Sequence, residues 1–444
     1  MQRKLGRFDL TMIVISLVIG MGIFKSPVLV AKAALTPGIF YAAWIIGGII
    51  ALCGALTFAE IGSRLPVSGG YYRIFSLCFH PSFAFILNCT ILVSNAASVA
   101  AVALIGSEYI GGIFFAPDDP GIEAKRVWIA AGEILLFFAL NMLGIKTSAR
   151  MLSILTVFKI GIVLLLCLAI FNPSTEYIQT PVMHAAGAEH SWTDWIISLG
   201  VCLIPISFTY GGYQQTINFG GDVQDAPKNM PRGIILGIAI VVALYLAINY
   251  AYMHSIGFGN LGQWSNIGST LAKKVLGHLG SQFFTVVFFI AVLAYVNVGL
   301  MSNPRVIMAM SEEGVLPKIF SRKDERYGVP VIALVVFTGM CLGILFFAKA
   351  FDQIVNYVIF LDSLGLVAAA ATLFVLRHRK TGDELQPYRM KLFPVAPVFF
   401  MLAYAFVTFS IVLEEPVSVV YGCCILLFFL IVYLLLKAMR KNAQ

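Results

Sequence analysis

Ile19-Gly20-Met21-Gly22-Ile23-Phe24 stands in the middle of an apolar run from about Phe8 to Lys32. Phe208-Thr209-Tyr210-Gly211-Gly212-Tyr213 stands in the middle of another, from about Ile196 to Gly220. Each run is long enough to cross a bilayer as a helix. A glycine in a helix interior destabilises it by roughly 1 kcal/mol relative to alanine. Backbone that unwinds in hydrocarbon leaves N–H and C=O groups without partners, so it persists only where it lines a protein cavity. The two breaks lie about 190 residues apart in a chain of 444. That arrangement points to two halves of an inverted repeat with a ligand site between them.

The rest of the chain fits that reading. It is 59% hydrophobic and 12% charged, with a mean hydropathy of +0.90, the composition of a polytopic membrane protein. The expected fold is an all-α membrane protein with twelve transmembrane helices in one domain over residues 1–444. Helices 1 and 6 are discontinuous in a five-plus-five inverted repeat. Residues 8–171 form the first repeat and 194–377 the second, each beginning with a broken helix, and 391–439 hold the last two spans. Five is an odd number of crossings, so the second copy inserts upside down. Residues 258–279 read as an external surface helix or lid.

The net charge of +8 reports topology rather than a nucleic-acid partner. With the N-terminus inside, 22 of the 30 lysines and arginines fall on the inner side and 5 on the other. That bias predicts two cytoplasmic termini, and the short tails favour a cell (inner) membrane, with the lipid bilayer as surroundings. No cleavable signal pattern precedes the first span. The eight cysteines lie in or beside predicted spans without a CxxC, and the six histidines are dispersed. His184 and His190 share a predicted external loop. No cluster has metal-ligand spacing and no serine sits in a nucleophile motif, which argues against a metal, a cofactor and an enzyme.

Several short motifs carry a family resemblance along the whole chain. They are Gly20-x-Gly22-Ile23-Phe24, Ala59-Glu60-Ile61-Gly62, Pro66-x-Ser68-Gly69-Gly70-Tyr71 and Phe208-x-Tyr210-Gly211-Gly212. Pro227-Lys228-Asn229-x-Pro231-Arg232, Glu313-Gly314-x-Leu316-Pro317 and Leu376-Arg377-His378-Arg379-Lys380 follow in order. The chain resembles the amino acid–polyamine–organocation (APC) superfamily of transporters, and within it the L-amino-acid transporter (LAT) family and its prokaryotic relatives. The resemblance implies an alternating-access carrier whose substrate sits at the two broken helices. It implies sodium-independent movement of neutral L-amino acids, by uniport, exchange or proton symport. A cationic amino acid or polyamine carrier is the alternative within the class. An amino acid sensor is the alternative outside it, and such a sensor calls for a soluble signalling extension that this sequence does not carry.

An amino acid zwitterion needs a partner at each end. The second half of span one begins at its break with unpaired N–H groups and a positive dipole end, which suit a carboxylate. Met21, Gly22 and Ile23 are the expected donors. Many relatives have serine where Met21 stands, so the backbone amide is retained here while a hydroxyl is not. The resemblance assigns the amine to carbonyls of Val18 or Ile19, Phe208, Thr209 and Gly211. Phe208 resembles the family's gating aromatic, and Tyr210 is expected to pack and hydrogen-bond.

Lys159 lies about twelve residues into span five, roughly 17 Å from its near end, too deep for its amine to reach water. Relatives with a lysine here bring it to span-one carbonyls, where sodium-coupled members of the wider fold hold their ion. Lys159 is thus expected either to replace sodium as a fixed cation or to release a proton. Asp362, near the middle of span ten, is expected to face the distal side-chain pocket or to stay protonated and hydrogen-bonded. Ser98 and Asn297 are further expected pocket residues. Glu60 and Arg64, four apart, read as a local helix pair. Glu133 has no expected partner. LAT relatives of eukaryotes join a single-span partner through a cysteine after span three. Residues 111–126 contain no cysteine, so no disulfide-linked heavy-chain subunit is expected.

Overall fold

The computed structural model describes residues 5–20, 22–115, 121–171, 191–263, 267–347, 351–414 and 416–441. Local chemistry sets where its helices begin. Thr36 accepts a hydrogen bond from the Ile39 N–H at 3.3 Å, with Pro37 in the first turn, where its missing N–H leaves no donor unpaired. Ser191 and Asp194 form a reciprocal capping box. Gly144, at φ +95°, makes the turn between two spans that most residues would resist.

The order is α1 (Arg7–Val18), α2 (Gly22–Ala33), α3 (Pro37–Arg64), α4 (Gly70–Cys78), α5 (Pro81–Phe114), α6 (Ile122–Met142) and α7 (Ile145–Cys167). There follow α8 (Trp192–Tyr210), α9 (Ala226–Ile256), α10 (Phe258–Leu261), α11 (Ile267–Glu312), α12 (Val331–Phe347), α13 (Phe351–His378), α14 (Val395–Glu414) and α15 (Pro416–Lys441). Short 3-10 turns carry Tyr213–Asn218 and Gly220–Asp222 between α8 and α9. Among the described residues, pairing outside helices amounts to two isolated β-bridges, Leu5 with Val223 and Ser68 with Phe219.

Among the described residues, nine stretches are long and apolar enough to cross a membrane, with α1 and α2 counted as one. Two shorter apolar helices cover Val331–Phe346 and Val419–Leu435. Helix α6, with 21 residues, reaches about 31 Å at 1.5 Å per residue. Residues 258–279, expected to form an external surface helix or lid, hold α10 and the beginning of α11. Helix α11 runs unbroken for 46 residues from Ile267. No proline interrupts it before Pro304, and its glycines alone cost too little to end a helix.

Packing divides the helices around the two breaks. Helix α9 packs on α1 and α3, α2 packs on α8, and α11 packs on α5 and α7. At the end of the bundle where α1 starts, ion pairs join distant segments. Buried Glu60 accepts from Arg64 Nε (2.9 Å), Arg377 Nε (2.8 Å), Arg377 Nη2 (2.6 Å) and the Met390 N–H (2.9 Å). Arg64 also reaches Asp383 at 2.7 Å. The local pair read from the i, i+4 spacing is therefore one edge of a network that ties α3 to α13 and to the segment before α14.

Candidate functional site

Helix α1 ends where Ile19 leaves helical geometry at φ −73°, ψ 89°. The Ile19 N–H still reaches the Ile15 carbonyl at 2.7 Å, and the Gly20 N–H turns back onto Val18 at 2.8 Å. Helix α2 restarts at Gly22, so its first amides have no intrahelical carbonyl to meet. Met21 lies outside the described residues. A methyl group on Gly22 would lie 2.6 Å from Thr209 Oγ1 and 2.9 Å from Thr209 Cα. Only glycine lets the two broken helices approach so closely.

The second break follows Tyr210. Pro205, inside α8, has no N–H to give to its helix. Thr209 Oγ1 lies 2.7 Å from the Pro205 carbonyl and 2.6 Å from Ser26 Oγ, stitching α8 to α2. Gly212 then turns the chain at φ +103°. A Cβ there would sit 2.5 Å from the Leu17 carbonyl oxygen.

Two side chains fill the carbonyls at these breaks. Lys159, 1% exposed, donates to the Ile19 carbonyl and lies 3.5 Å from that of Ser16. The Tyr245 hydroxyl, from α9, lies 2.9 Å from the Val18 carbonyl and 3.3 Å from that of Thr209. Tyr245 thus spans both breaks, a position that sequence reading missed because a tyrosine in an apolar span has no distinguishing spacing.

These contacts narrow the carbonyl set expected for an amine. Val18 already receives the Gly20 N–H and Tyr245, one for each lone pair. Ile19 is held by Lys159, and Thr209 shares with Val18 the single proton of the Tyr245 hydroxyl. Phe208 accepts from the Gly211 N–H at 3.2 Å and keeps one lone pair. The Gly211 carbonyl has no partner among the described residues. Phe208 and Gly211 are the carbonyls of this set that no side chain contacts among the described residues, while Val18, Ile19 and Thr209 already meet Lys159 or Tyr245.

A cavity of about 50 Å³ lies between the breaks. One water needs roughly 10–15 Å³ of such space, so the cavity has the scale of a small solute. Val18, Gly20, Gly22, Phe208, Thr209 and Gly211 line it from the broken helices. Ser98 of α5, Tyr295 of α11, and Asp362 and Ser363 of α13 line it from across the bundle. Asp362 accepts from Ser94 Oγ at 3.1 Å. The Ser363 hydroxyl is buried without a hydrogen-bond partner among the described residues. Asn95 and Gln215 also line the wall and were not anticipated. Their polar amides in apolar surroundings were the available signal. Gln215 donates to Asn95 at 2.9 Å, and Asn95 to Asn303 at 2.6 Å.

Three expectations shift. Asn297 does not line this cavity. It accepts from Asn141 at 2.9 Å and donates to the Ser148 carbonyl at 3.1 Å, because its face of α11 meets α6 and α7. Ile23 is fully buried and also stands outside the lining. Tyr210 packs against Trp44 and Tyr245, with ring centroids 6.0 and 5.1 Å away. Its hydroxyl has no hydrogen-bond partner among the described residues. Glu133 is buried against Gly106, and neither of its oxygens has a hydrogen-bond partner there.

The end of the bundle where α1 starts is closed below the cavity. The Leu5 N–H donates to Asp222 at 3.0 Å, and the Gly69 N–H to Asn218 at 3.0 Å. Arg305 of α11 pairs with Asp222 at 3.0 Å and covers the Phe219 ring. Among the described residues no group of three His, Cys, Asp or Glu side chains has a metal-binding arrangement.

Comparison with known proteins gives this site a context. Residues 5–436 match the amino acid permease family. The serine/threonine exchanger SteT of Bacillus subtilis (strain 168) is 26% identical over 426 residues, 94% of this chain and 93% of that protein. The human cystine/glutamate transporter is 27% identical over 439 residues, 96% of this chain and 84% of that protein. The human large neutral amino acids transporter small subunit 2 is 28% identical over 438 residues, 98% and 80% respectively. With a match that spans nearly its whole length, the chain belongs to the amino acid permease family of the APC superfamily, and it is a membrane amino acid transporter rather than an enzyme.

Proposed function

We propose that this protein is a sodium-independent, alternating-access exchanger of small neutral L-amino acids. The observation that carries this reading is Lys159, whose ammonium meets carbonyls of Ser16 and Ile19 at the first helix break. A fixed cation there leaves no need for sodium to organise the unwound backbone. The substrate carboxylate meets amides at the first break, those of Gly22 and Ile23 at the start of α2 and that of the preceding Met21, and the ammonium meets the carbonyls of Phe208 and Gly211. Phe208 closes over the substrate. Ser98, Ser363 and Asp362 face the side chain. The small cavity and its hydroxyl-rich wall favour a substrate such as serine, and the serine/threonine exchanger among the relatives supports exchange.

The proposed topology has twelve spans, counting α6 and the two shorter apolar helices, arranged as a five-plus-five inverted repeat with both termini cytoplasmic in the cell (inner) membrane. The closed end at Arg305 and Asp222 is then the inner gate. The carrier works without a disulfide-linked subunit, in keeping with the lack of cysteine in residues 111–126. A second reading, a carrier of cationic amino acids, is favoured by one observation, the Asp362 carboxylate in the cavity wall.

The test is radiolabelled serine influx into proteoliposomes with and without internal amino acid. Influx should depend on internal substrate and persist when choline replaces sodium. Lys159→Ala should slow turnover by tenfold or more while binding remains. A steep sodium requirement would reject the assignment of Lys159.

A further inference from the structure

A second cavity, of about 720 Å³, opens at the end of the bundle where α1 begins. Arg7, the first turns of α9 and the segment before α14 line it. Among the described residues that line it, Arg7, Lys228 and Arg232 are charged and none is an aspartate or glutamate. Asp225 lies 3.5 Å from Lys228, with both side chains more than half exposed, a contact of little strength. Arg7 and Arg232 have no ion pair among the described residues. The cations are therefore available to an anion from outside the chain.

The wall beneath them is apolar. Ile235, Leu236 and Ala239 follow Arg232 along α9, spaced so that they share one helix face. From Arg232 to Ala239 is about 10 Å at 1.5 Å per residue. Leu236 is 44% exposed. Helix α9 is one of the candidate spans, so this face descends from the end of the span toward its middle. A soluble anion would need the cations alone. Cations set above a descending apolar strip match a molecule with an anionic head and a hydrocarbon tail.

We propose that this groove binds an anionic glycerophospholipid. Its phosphate sits between Arg7 and Arg232, with Lys228 adding to the field, and one acyl chain lies along Ile235, Leu236 and Ala239. Basic pockets between spans are suited to anionic head groups in this way. The lipid would bridge α1 to α9, both of which carry groups at the helix breaks.

The test uses the full-length protein, delipidated in neutral detergent and titrated with phosphatidylglycerol. Bound lipid is counted by native mass spectrometry, and melting temperature is followed in parallel. Wild-type protein should retain phosphatidylglycerol saturably and melt higher with it, and phosphatidylcholine should do neither. Arg7→Gln and Arg232→Gln should each weaken retention about fivefold, and Arg232→Lys should preserve most of it. Leu236→Gln should weaken retention of the long-chain lipid although every cation remains, which keeps the tail contact testable if an arginine variant fails to fold. Glycerol phosphate, a head group without a tail, should not raise the melting temperature. Equal retention by wild type and the Arg7→Gln/Arg232→Gln double variant would overturn the proposal. So would equal retention of phosphatidylcholine, or a matching effect of glycerol phosphate.

Discussion

Tyr245→Phe removes one oxygen atom and tests whether the two helix breaks act as a unit. The lost hydroxyl meets Val18 at 2.9 Å and Thr209 at 3.3 Å. Val18 keeps the Gly20 N–H, so its carbonyl remains paired. Thr209 loses the contact that reaches its carbonyl from outside α8. A buried acceptor left without its partner costs about 1–3 kcal/mol. If that cost falls on the substrate-ready arrangement, apparent affinity for serine should weaken roughly 5- to 150-fold, since about 1.4 kcal/mol is a factor of ten. The assay is concentration-dependent serine uptake in proteoliposomes, alongside melting temperature in detergent. Tyr210→Phe is the matched control, because it removes a neighbouring hydroxyl that has no partner among the described residues. It should be neutral or slightly stabilising. Unchanged uptake by Tyr245→Phe, together with a defect in Tyr210→Phe, would refute the bridging role.

Asp362→Asn preserves an acceptor for Ser94 while removing the charge. It should leave serine uptake within about threefold and lower cationic amino acid uptake by roughly 10- to 150-fold, the value of a hydrogen bond to a charged group. An unchanged ratio across a substrate panel would remove Asp362 from the side-chain pocket. Asp383 gives a pH prediction. The hydrogen bond from Arg64, and then the one from Arg389, hold its carboxyl below the usual aspartate value. A lowered folded-state pKa adds stability above the unfolded value, about 3.9, and that stability is lost as pH falls through the folded value. The melting gap between wild type and Asp383→Asn should stay constant from pH 7 to pH 5 and narrow below about pH 4. A gap that widens in acid would mean that the ion pair is not its source.

The positions of the two breaks were legible because glycines interrupt apolar runs that otherwise have every reason to stay helical. The depth of Lys159 was legible from helix rise alone. The contacts of these groups were not. Tyr245 looks like any aromatic residue in a span, and its meaning comes from carbonyls 227 and 36 residues away. Asn297 carried the right chemistry for a cavity wall, yet which face of α11 it occupies depends on Asn141 and Ser148 of other helices. The carbonyls expected to hold an amine came only as a set, implied by the family resemblance, because the side chains that meet some of them come from α7 and α9. Continuity of α11 through 267–287 was not legible because the polar character of its first turns suggested a surface segment rather than the start of a long helix.

The carboxylate of Glu60 also bears on the order in which the chain is made. Its bidentate partner, Arg377, lies 317 residues later. At about 5–20 residues per second of synthesis, that guanidinium emerges roughly 15–60 s after Glu60. A lone charge within a span is costly throughout that interval. Arg64 removes the delay, since it comes within reach as soon as the last turn of α3 closes, and it later gains Asp383 as a second partner. Nascent chains halted before residue 377 should therefore insert α3 efficiently with Arg64 present and poorly with Arg64→Ala, as read by glycosylation mapping; equal insertion would show that Glu60 needs no early companion. On this account Arg64 is a chaperone built into the sequence, holding a charge for a partner that has not yet been translated.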